Sequence, residues 1–541
     1  MKKFISVMLG LLLCFTAFSF GCGPDDGGNG EEINASYIRR NADGTETFMV
    51  DGKPFLYLGV ECRTEAFTNC DKTTFDEYEK YFEKAADIGF NVIAVSVNWS
   101  DIETEKDVYD FSVINKILGF GLKYGIKVDL LWYSALMCGT SHEWHLPEYI
   151  FTETPRYQMF TNGIEKTNIN ISTIYGEETF LRIDDKTFMQ REEKVVKAIM
   201  EHVYEWEEAR EFPNVLIGVQ LYNEVDAFPE NRLEKYQVSL NNRKITKDDA
   251  WKTICTAMDN CGKAFKSGKY KVVTRTNLLR PECGDLSSSG YSPIERAAQI
   301  YNLKNVDCVG YDPYLNDLSQ LKISIKYYQE NLKDNFTHIA ENGRPNAKDQ
   351  GEYLNPDGEI LTAVSLNCGY ILYELCSPKQ FVKEGYGQGI LDPETLEDYE
   401  YTDKIRTICR ALKKVSEAVA AVNPDDFACF NIDSASGKTT WNKMVNTTDF
   451  TFNYYTEKGA KGFAVVYGGY IYAFSTDDAS LTVSNGEIEE ITFGETVNGE
   501  WQTSGTVAAE NGSLNLEKGK VYRIKATSNG KQTSDTDIYK G

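Results

Sequence analysis

Histidine is scarce in this chain, with four residues among 541, at positions 142, 145, 202 and 338. That count argues against a metal enzyme built on a histidine-rich ligand set. Thirteen cysteines are present, yet no C-x-x-C pair occurs, so no zinc pattern can be read from them. Positive charge is in deficit: 57 Lys+Arg face 81 Asp+Glu, for a net charge of −24. So acidic a chain repels polyphosphate, which excludes nucleic acid as a non-specific partner. After Phe18 no apolar run approaches the roughly 18 residues that cross a bilayer. What remains is a globular composition, 42% apolar and 26% charged. The length suits a barrel of about 250 residues or more with a smaller companion.

The N-terminus stands apart from that body. Lys2 and Lys3 precede an apolar run from Phe4 to Phe18, and the small residues Ser19 and Gly21 flank Phe20 just before Cys22. This resembles a bacterial lipoprotein signal, which implies that the Cys22 thiol is lipidated and becomes the mature N-terminus. Ser19 stands where such signals usually carry Leu, and ordinary cleavage after Ala17-Phe18-Ser19 is the alternative. Residues 1–22 are therefore expected to be a signal peptide and 23–46 a flexible tether and lead-in, acidic and Gly-rich from Gly23 to Glu32. The expected setting is the outer membrane, on its periplasmic or cell-surface face, with membrane contact only through the lipid. Eleven cysteines remain beyond Cys22, an odd count without regular spacing. Cys62/Cys70 and Cys255/Cys261 could pair in an oxidising compartment; free buried thiols are the other reading.

Between residues 47 and 424 short apolar runs alternate with longer amphipathic segments. The runs are Phe55–Glu61, Asn91–Asn98, Lys127–Tyr133, Val215–Tyr222, Lys271–Thr276, Val306–Tyr311, Phe336–Glu341 and Gly369–Leu375. Each is rich in Val, Ile, Leu or Tyr and has the length of a buried parallel strand. Helical patterns lie between them, among them Thr74–Ile88, Phe111–Tyr124, Met189–Ala209, Lys247–Lys266 and Ser319–Asn331, and Tyr401–Val422 follows the eighth. Eight strand–helix units predict a (β/α)8 TIM barrel. No G-x-G-x-x-G follows the first strand, which argues against a doubly wound sheet. From 425 to 541 the pattern changes to short alternating runs separated by turns such as Gly468-Gly469, Asn485-Gly486, Asn498-Gly499 and Asn511-Gly512. Asn-Gly between such runs signals hairpins, and the region is expected to form an antiparallel β-sandwich that braces the barrel. Its aromatic residues, Trp441 and Trp501 among them, are expected mainly in its core.

Active sites of such barrels lie at the C-terminal ends of the strands. The fourth strand ends in Gln220-Leu-Tyr-Asn223-Glu224-Val-Asp226, and the seventh in Ala340-Glu341-Asn342-Gly343. A structural strand would avoid ending in a Glu because burial penalises the charge. Strands 4 and 7 lie across the barrel, so Glu224 and Glu341 can face one gap. Two carboxyls about 5–5.5 Å apart make the machinery of retaining glycoside hydrolysis.

These residues resemble the clan A glycoside hydrolases, which end strand 4 in Asn-Glu and strand 7 in Glu. The stretch Q-L-Y-N-E-V-D is similar to the Q-x-E-N-E-Y-G block of the family 35 β-galactosidases and its counterpart in family 42. Trp99-Ser-Asp-Ile-Glu103, with Tyr109-Asp110-Phe111 beyond it, resembles their W-x-x-x-E-P-x-x-G-x-Y-D-F block after strand 2. The resemblance covers roughly residues 50–380. It implies that Glu224 is the acid/base, Glu341 the nucleophile and Asn223 a hydrogen-bond donor to the substrate's 2-hydroxyl, with Trp99 near the substrate and no cofactor. Tyr222 and Val225-Asp226 depart from the family blocks, and strand 8 lacks the Trp of many family 5 members, so the sugar stays open.

Strict alternation would put Asn223 and Glu224 on opposite faces, so both reach the site only if the strand end is bulged. Arg63, just past strand 1, could hydrogen-bond Glu341 or pair with a surface acid. Tyr314 and Asp312, in Gly310-Tyr-Asp-Pro-Tyr past strand 6, are candidates for substrate or nucleophile contact. Trp144, in the His142-Glu-Trp-His145 loop after strand 3, could stack on a sugar face. The two histidines lack further ligands for zinc, and no metal is expected. The expected partner is an oligo- or polysaccharide cleaved at β-glycosidic bonds, by exo action of the β-galactosidase kind. Endo action on a mannan, xylan or glucan is the nearest alternative, then transglycosylation, then a non-catalytic glycan-binding lipoprotein.

Overall fold

The computed structural model describes residues 32–527, apart from 162–163, 167–177, 227–238, 241–242, 284–291, 316, 344–354, 386, 431–436, 446–447, 457–459, 485–486, 498 and 510–511. The signal segment with Cys22, the tether up to Glu31, the tail beyond Thr527, and the turns at Asn485-Gly486, Asn498 and Asn511 lie outside these residues.

Eight parallel strands close into a barrel: β1 (Leu58–Cys62), β2 (Val92–Asn98), β3 (Lys127–Met137), β4 (Leu216–Asn223), β5 (Val273–Leu279), β6 (Cys308–Asp312), β7 (His338–Asn342) and β8 (Gly369–Leu372), each beside its sequence neighbour and β8 beside β1. Every residue of β1, β2, β4, β6, β7 and β8 is buried. One face of each strand meets the barrel interior and the other meets a helix, which is why the strands read as continuous apolar runs. The described helices of eight or more residues are α1 (Glu79–Ile88), α2 (Ser112–Tyr124), α3 (Lys186–Glu208), α4 (Lys247–Phe265), α5 (Ile294–Tyr301), α6 (Leu318–Asn331), α7 (Pro356–Ser365) and α8 (Thr402–Lys414). Gly89 and Gly125 end α1 and α2 in left-handed backbone, donating their N–H groups to the last turns, as C-terminal caps do.

The chain is ordered before the first barrel strand. Ile33–Asn34 pairs in parallel with Tyr270–Lys271, and Ser36–Arg40 and Glu46–Val50 form a hairpin. Phe48 and Val50 pack with Tyr57, Ile217, Val273 and Phe336 at the N-terminal ends of the strands, closing that end of the barrel. The lead-in therefore belongs to the fold from Ile33 onward.

After the barrel come a six-stranded and a four-stranded antiparallel sheet. The first runs β9 (Phe427–Phe430), β12 (Gly462–Tyr467), β13 (Tyr470–Ser475), β18 (Val521–Thr527), β15 (Glu487–Val497), β16 (Glu500–Val507); the second runs β10 (Gly437–Val445), β11 (Thr448–Thr456), β14 (Ala479–Ser484), β17 (Ser513–Leu516). Phe452, Tyr454, Ile471, Leu481, Leu514 and Tyr522 fill the space between them. On the other face of the larger sheet Phe427, Phe463, Val465, Phe474 and Val521 join the barrel's own apolar core, and Lys461 pairs with Asp357 of α7 at 2.8 Å. All eleven described cysteines are free, so neither Cys62/Cys70 nor Cys255/Cys261 is bridged.

Candidate active site

The end of β4 is irregular where two carboxyl-bearing strands must converge. The β3–β4 register shifts between Leu221 and Asn223, and Tyr222 (φ 61°) and Glu224 (φ 41°) adopt left-handed backbone. Tyr222 thereby turns outward and donates its hydroxyl to Glu192 of α3 at 2.8 Å. Asn223 turns inward, where its Oδ1 accepts from Gln220 at 3.0 Å and Asn277 at 2.9 Å. The irregularity is the bulge that simple alternation required.

Glu224, Asp312 and Glu341 come together at the mouth, one oxygen from each lying within 4.8 Å of the others. Asn277, at the end of β5, ties them together. Its side-chain amide donates to Asp312 Oδ2 at 2.7 Å and Glu341 Oε1 at 3.2 Å, while its Oδ1 accepts the Glu224 backbone N–H at 3.2 Å. Tyr314 donates its hydroxyl to Glu341 Oε2. The Cys138 thiol, at the end of β3, donates to Glu224 Oε2 at 3.3 Å.

The two glutamates are held differently. Burial and then the negative charge of Glu341 push Glu224 up to about 8, against a smaller downward pull from the Cys138 thiol. Burial also raises Glu341, but the Tyr314 hydroxyl and the charges of Arg63 and Arg275 pull it back. Asp312 is raised well above the ordinary range by burial and by both glutamates. Both carboxyls are thus raised, and the groups around Glu341 favour its anion more than those around Glu224 do. The trio has the carboxylate count of a cation site, but Cys138, Tyr314 and Asn277 aim the positive ends of their dipoles at its oxygens. It reads as a hydrogen-bonded acid cluster and not as a ligand set.

Further acids ring the mouth. Glu61, one residue before the end of β1, is 2% exposed, with Oε1 receiving no donor from a described residue. Glu374, just past β8, accepts from Ser377 through one oxygen and has the other buried with no donor among the described residues. Below them an interior network descends through Gln220 to Arg275, which pairs with Asp129 at 2.8 Å; Tyr57 donates to the same Asp129 oxygen.

The remaining expectations divide. Arg63 is 5% exposed and pairs with Glu65 at 2.9 Å, an acid that is itself buried and not on the surface. It also donates to Tyr373 at 2.8 Å. Asp312 and Tyr314 reach the carboxyl cluster; Trp144 is half-buried in its loop, its carbonyl accepting from Ser100 at 2.8 Å. Trp99 does not line the mouth. It is fully buried, lies against Trp132 and Phe188, and donates its indole N–H to Glu103 at 2.7 Å. The cause is local: Asn98 caps a one-turn helix, Trp99–Ile102, and the first side chain of that turn leans back into the core. Glu103 also accepts from Tyr149 at 2.6 Å and pairs with Arg191, so the Trp-x-x-x-Glu block braces the barrel wall. His142 and His145 are buried with their rings edge-on; His145 is hydrogen-bonded to Asn98 at 2.7 Å.

Residues 253–437 match the model of a domain of unknown function (DUF4978). No curated protein matches the chain. Among solved structures, the exo-β-1,4-mannosidase Op5Man5 from Opitutaceae bacterium strain TAV5 is similar with a TM-score of 0.44 at 13% identity, over 71% of this chain and 63% of that one. A GH30 endoxylanase from Clostridium papyrosolvens C71 gives 0.43 at 12% identity, over 88% and 97%. A β-galactosidase from the haloarchaeon Halorubrum lacusprofundi gives 0.43 at 11% identity, over 66% and 58%. The chain thus spans less than two thirds of the mannosidase and of the galactosidase.

Proposed function

We propose that this chain is a retaining glycoside hydrolase in which Glu341 is the nucleophile and Glu224 the acid/base. The observation that carries the reading is the placement of carboxylate oxygens from the end of β4 and from β7 within 4.8 Å of each other, with donors and cationic charge offsetting burial at Glu341 more than at Glu224. That spacing suits direct attack by one carboxylate and falls short of the roughly 6.5–9.5 Å that an inverting pair needs to admit water. Glu341, ionised and aimed by Tyr314 and Asn277, attacks the anomeric carbon while Glu224 protonates the departing oxygen. Glu224, now an anion, takes a proton from water, which releases the sugar from Glu341. Asn223 offers its Nδ2, engaged among the described residues only by the weak acceptor Met137 Sδ at 3.4 Å, to a sugar hydroxyl.

The sequence resemblance to families 35 and 42 favours exo action on a terminal β-galactoside or a related neutral sugar. Turnover on a panel of nitrophenyl glycosides tests this, with Glu224→Ala and Glu341→Ala beside the wild type. The expected result is hydrolysis of a β-glycoside, reduced on the order of 10⁴-fold in both variants and restored in Glu341→Ala by azide with an inverted product. Silence on small glycosides with turnover on mannan, xylan or glucan would reassign it to endo action. Glycan binding without turnover, unchanged in both variants, would overturn it. We also propose that Cys22 carries a lipid anchoring the exported protein; an unmodified N-terminus in mass spectrometry of the cell-expressed protein would exclude that.

A further inference from the structure

A second cavity lies at the closed end of the barrel, away from the carboxyl cluster. Its volume is about 380 Å³, within the roughly 300–1,000 Å³ of small-molecule pockets. It is lined by the turn of the lead-in hairpin, the segment joining α6 to β7 and the loop before β8, with Pro424 at the entry to the sandwich. Two polar groups in its lining are left unserved. Thr337 is 2% exposed, and its buried hydroxyl makes no hydrogen bond with a described residue. Glu46 Oε1 is buried and receives no donor from one. Arg40 stands opposite Glu46 in the hairpin but gives its guanidinium to Asp334. Burial and then the charge of Asp334 push the Glu46 carboxyl up to about 7, against a smaller pull from Arg40. Each unserved group carries a desolvation cost that a ligand's hydrogen bond would remove. The side-chain amides of Asn367 and Gln329 donate to the Glu46 and Leu366 carbonyls at 2.8 and 2.7 Å, which braces the lining around them.

The lining discriminates among ligands. It holds two cations, Arg40 and Lys333, and two acids, Glu46 and Asp334. A charged ligand of either sign therefore loses to one pair what it gains from the other. The unserved groups are a carboxylate oxygen, which accepts, and a hydroxyl, which donates and accepts. Hydroxyl groups on a ligand answer both at once. Leu332, Phe336, Leu366 and Pro424 add apolar surface to the same cavity. That combination suits a ring with an apolar C–H face and an edge of hydroxyls. We propose that this cavity is a second saccharide site, which takes a neutral mono- or disaccharide with its hydroxyls on Glu46 and Thr337. The inference does not rest on the glycosidase reading, because no residue of the cavity takes part in that mechanism.

The test reads the cavity locally and needs no turnover. Methyl NMR spectra of the full chain, labelled in its Leu methyls, are recorded during titration with galactose, mannose, xylose, glucose and their β-linked disaccharides. Leu332→Ile and Leu366→Ile assign the two signals that report the cavity. Glucosamine and glucuronate supply the cationic and anionic comparisons. The expected result is a saturable shift of both signals with at least one neutral sugar, and weaker binding of the charged pair. Thr337→Val, which keeps the shape and removes the hydroxyl, should weaken that affinity roughly 3- to 10-fold, and Glu46→Ala about 10-fold or more. Any glycoside turnover at the opposite end should be unchanged in both. No saturable shift of either signal would overturn the site. Tighter binding of glucosamine or glucuronate than of the neutral sugars would overturn it too, as would an affinity untouched by both variants. If Glu46→Ala does not fold, Thr337→Val and the wild-type order of affinities decide. A sugar held in this cavity by a chain that hydrolyses no glycoside would defeat the glycosidase reading and leave this one standing; turnover without a shift at Leu332 and Leu366 would do the reverse.

Discussion

Buried charge is handled in opposite ways at the two ends of the barrel interior. Toward the closed end, Asp129 is matched by Arg275, both essentially without exposure, and Tyr57 adds a donor to the same oxygen. At the open end Glu61, Glu65, Glu341 and Glu374 gather around Arg63, which is itself engaged with Glu65, and Glu224 and Asp312 cluster with Glu341. An ion pair in the interior tolerates burial because the charges cancel, whereas an excess of carboxyls is tolerated only if several keep their protons. The closed end is therefore built to stay the same and the open end to exchange protons. Local destabilisation concentrated where chemistry is proposed is the usual distribution in enzymes.

The largest expected effect breaks the closed end. Arg275→Met leaves Asp129 buried without its partner and should cost about 3–5 kcal/mol in urea unfolding. Adding Asp129→Leu should recover much of that loss, since no lone charge then remains.

A second measurement separates the ends by pH. Burial raises the Glu374 carboxyl from 4.5 to about 7, so between those values the folded state holds a proton that the unfolded chain has released. This contribution is whole below pH 4.5 and is lost as pH rises through 7, an effect of about 3 kcal/mol for a group so buried. Unfolding free energy should thus fall from pH 5 to pH 8, and Glu374→Gln should flatten the slope. A slope unchanged in that variant would place the proton elsewhere.

Tyr314→Phe removes one donor from Glu341 and little packing. It should lower kcat/KM roughly 10- to 100-fold, about 1.5–3 kcal/mol for a hydrogen bond to a charged group, with the unfolding midpoint nearly unchanged. Smallest is Cys138→Ala. Loss of the thiol donor should raise Glu224 and move the alkaline limb of kcat/KM upward by less than about one pH unit.

Much of the fold was legible because parallel strands buried on both faces cannot hide their apolar runs; all eight were found, though their ends were displaced. Strand β3 extends to Met137 and β5 to Leu279, beyond the runs ending at Tyr133 and Thr276. Each extension opens on a polar residue, Ser134 or Asn277, and the apolar runs were ended there although apolar residues follow, so Asn277 was cut off. Helices α5 and α7 were implied by the eight strand–helix units but not delimited; α7 is buried nearly throughout and so lacks the polar face that marks an amphipathic helix. Glu224 and Glu341 stood out as acids ending apolar runs. Glu61 ended the first run by the same rule and Glu374 lay within the eighth, so the signal for the wider ring was present. Trp99 misled because its block followed the right strand while a one-turn helix, invisible to periodicity, rotated the indole inward. Cys138 carried no sequence signal, since what places it is the left-handed turn at the end of β3 (φ 48°).

The strand Ile33–Asn34 joins the barrel beside Tyr270–Lys271, at the foot of β5. Whatever holds the residues before it therefore grips the domain by its base, with the acid-lined opening facing the other way. Under the lipid anchor proposed above, the opening faces away from the point of attachment, so the proposed glycan substrate reaches it without first passing between the protein and its support.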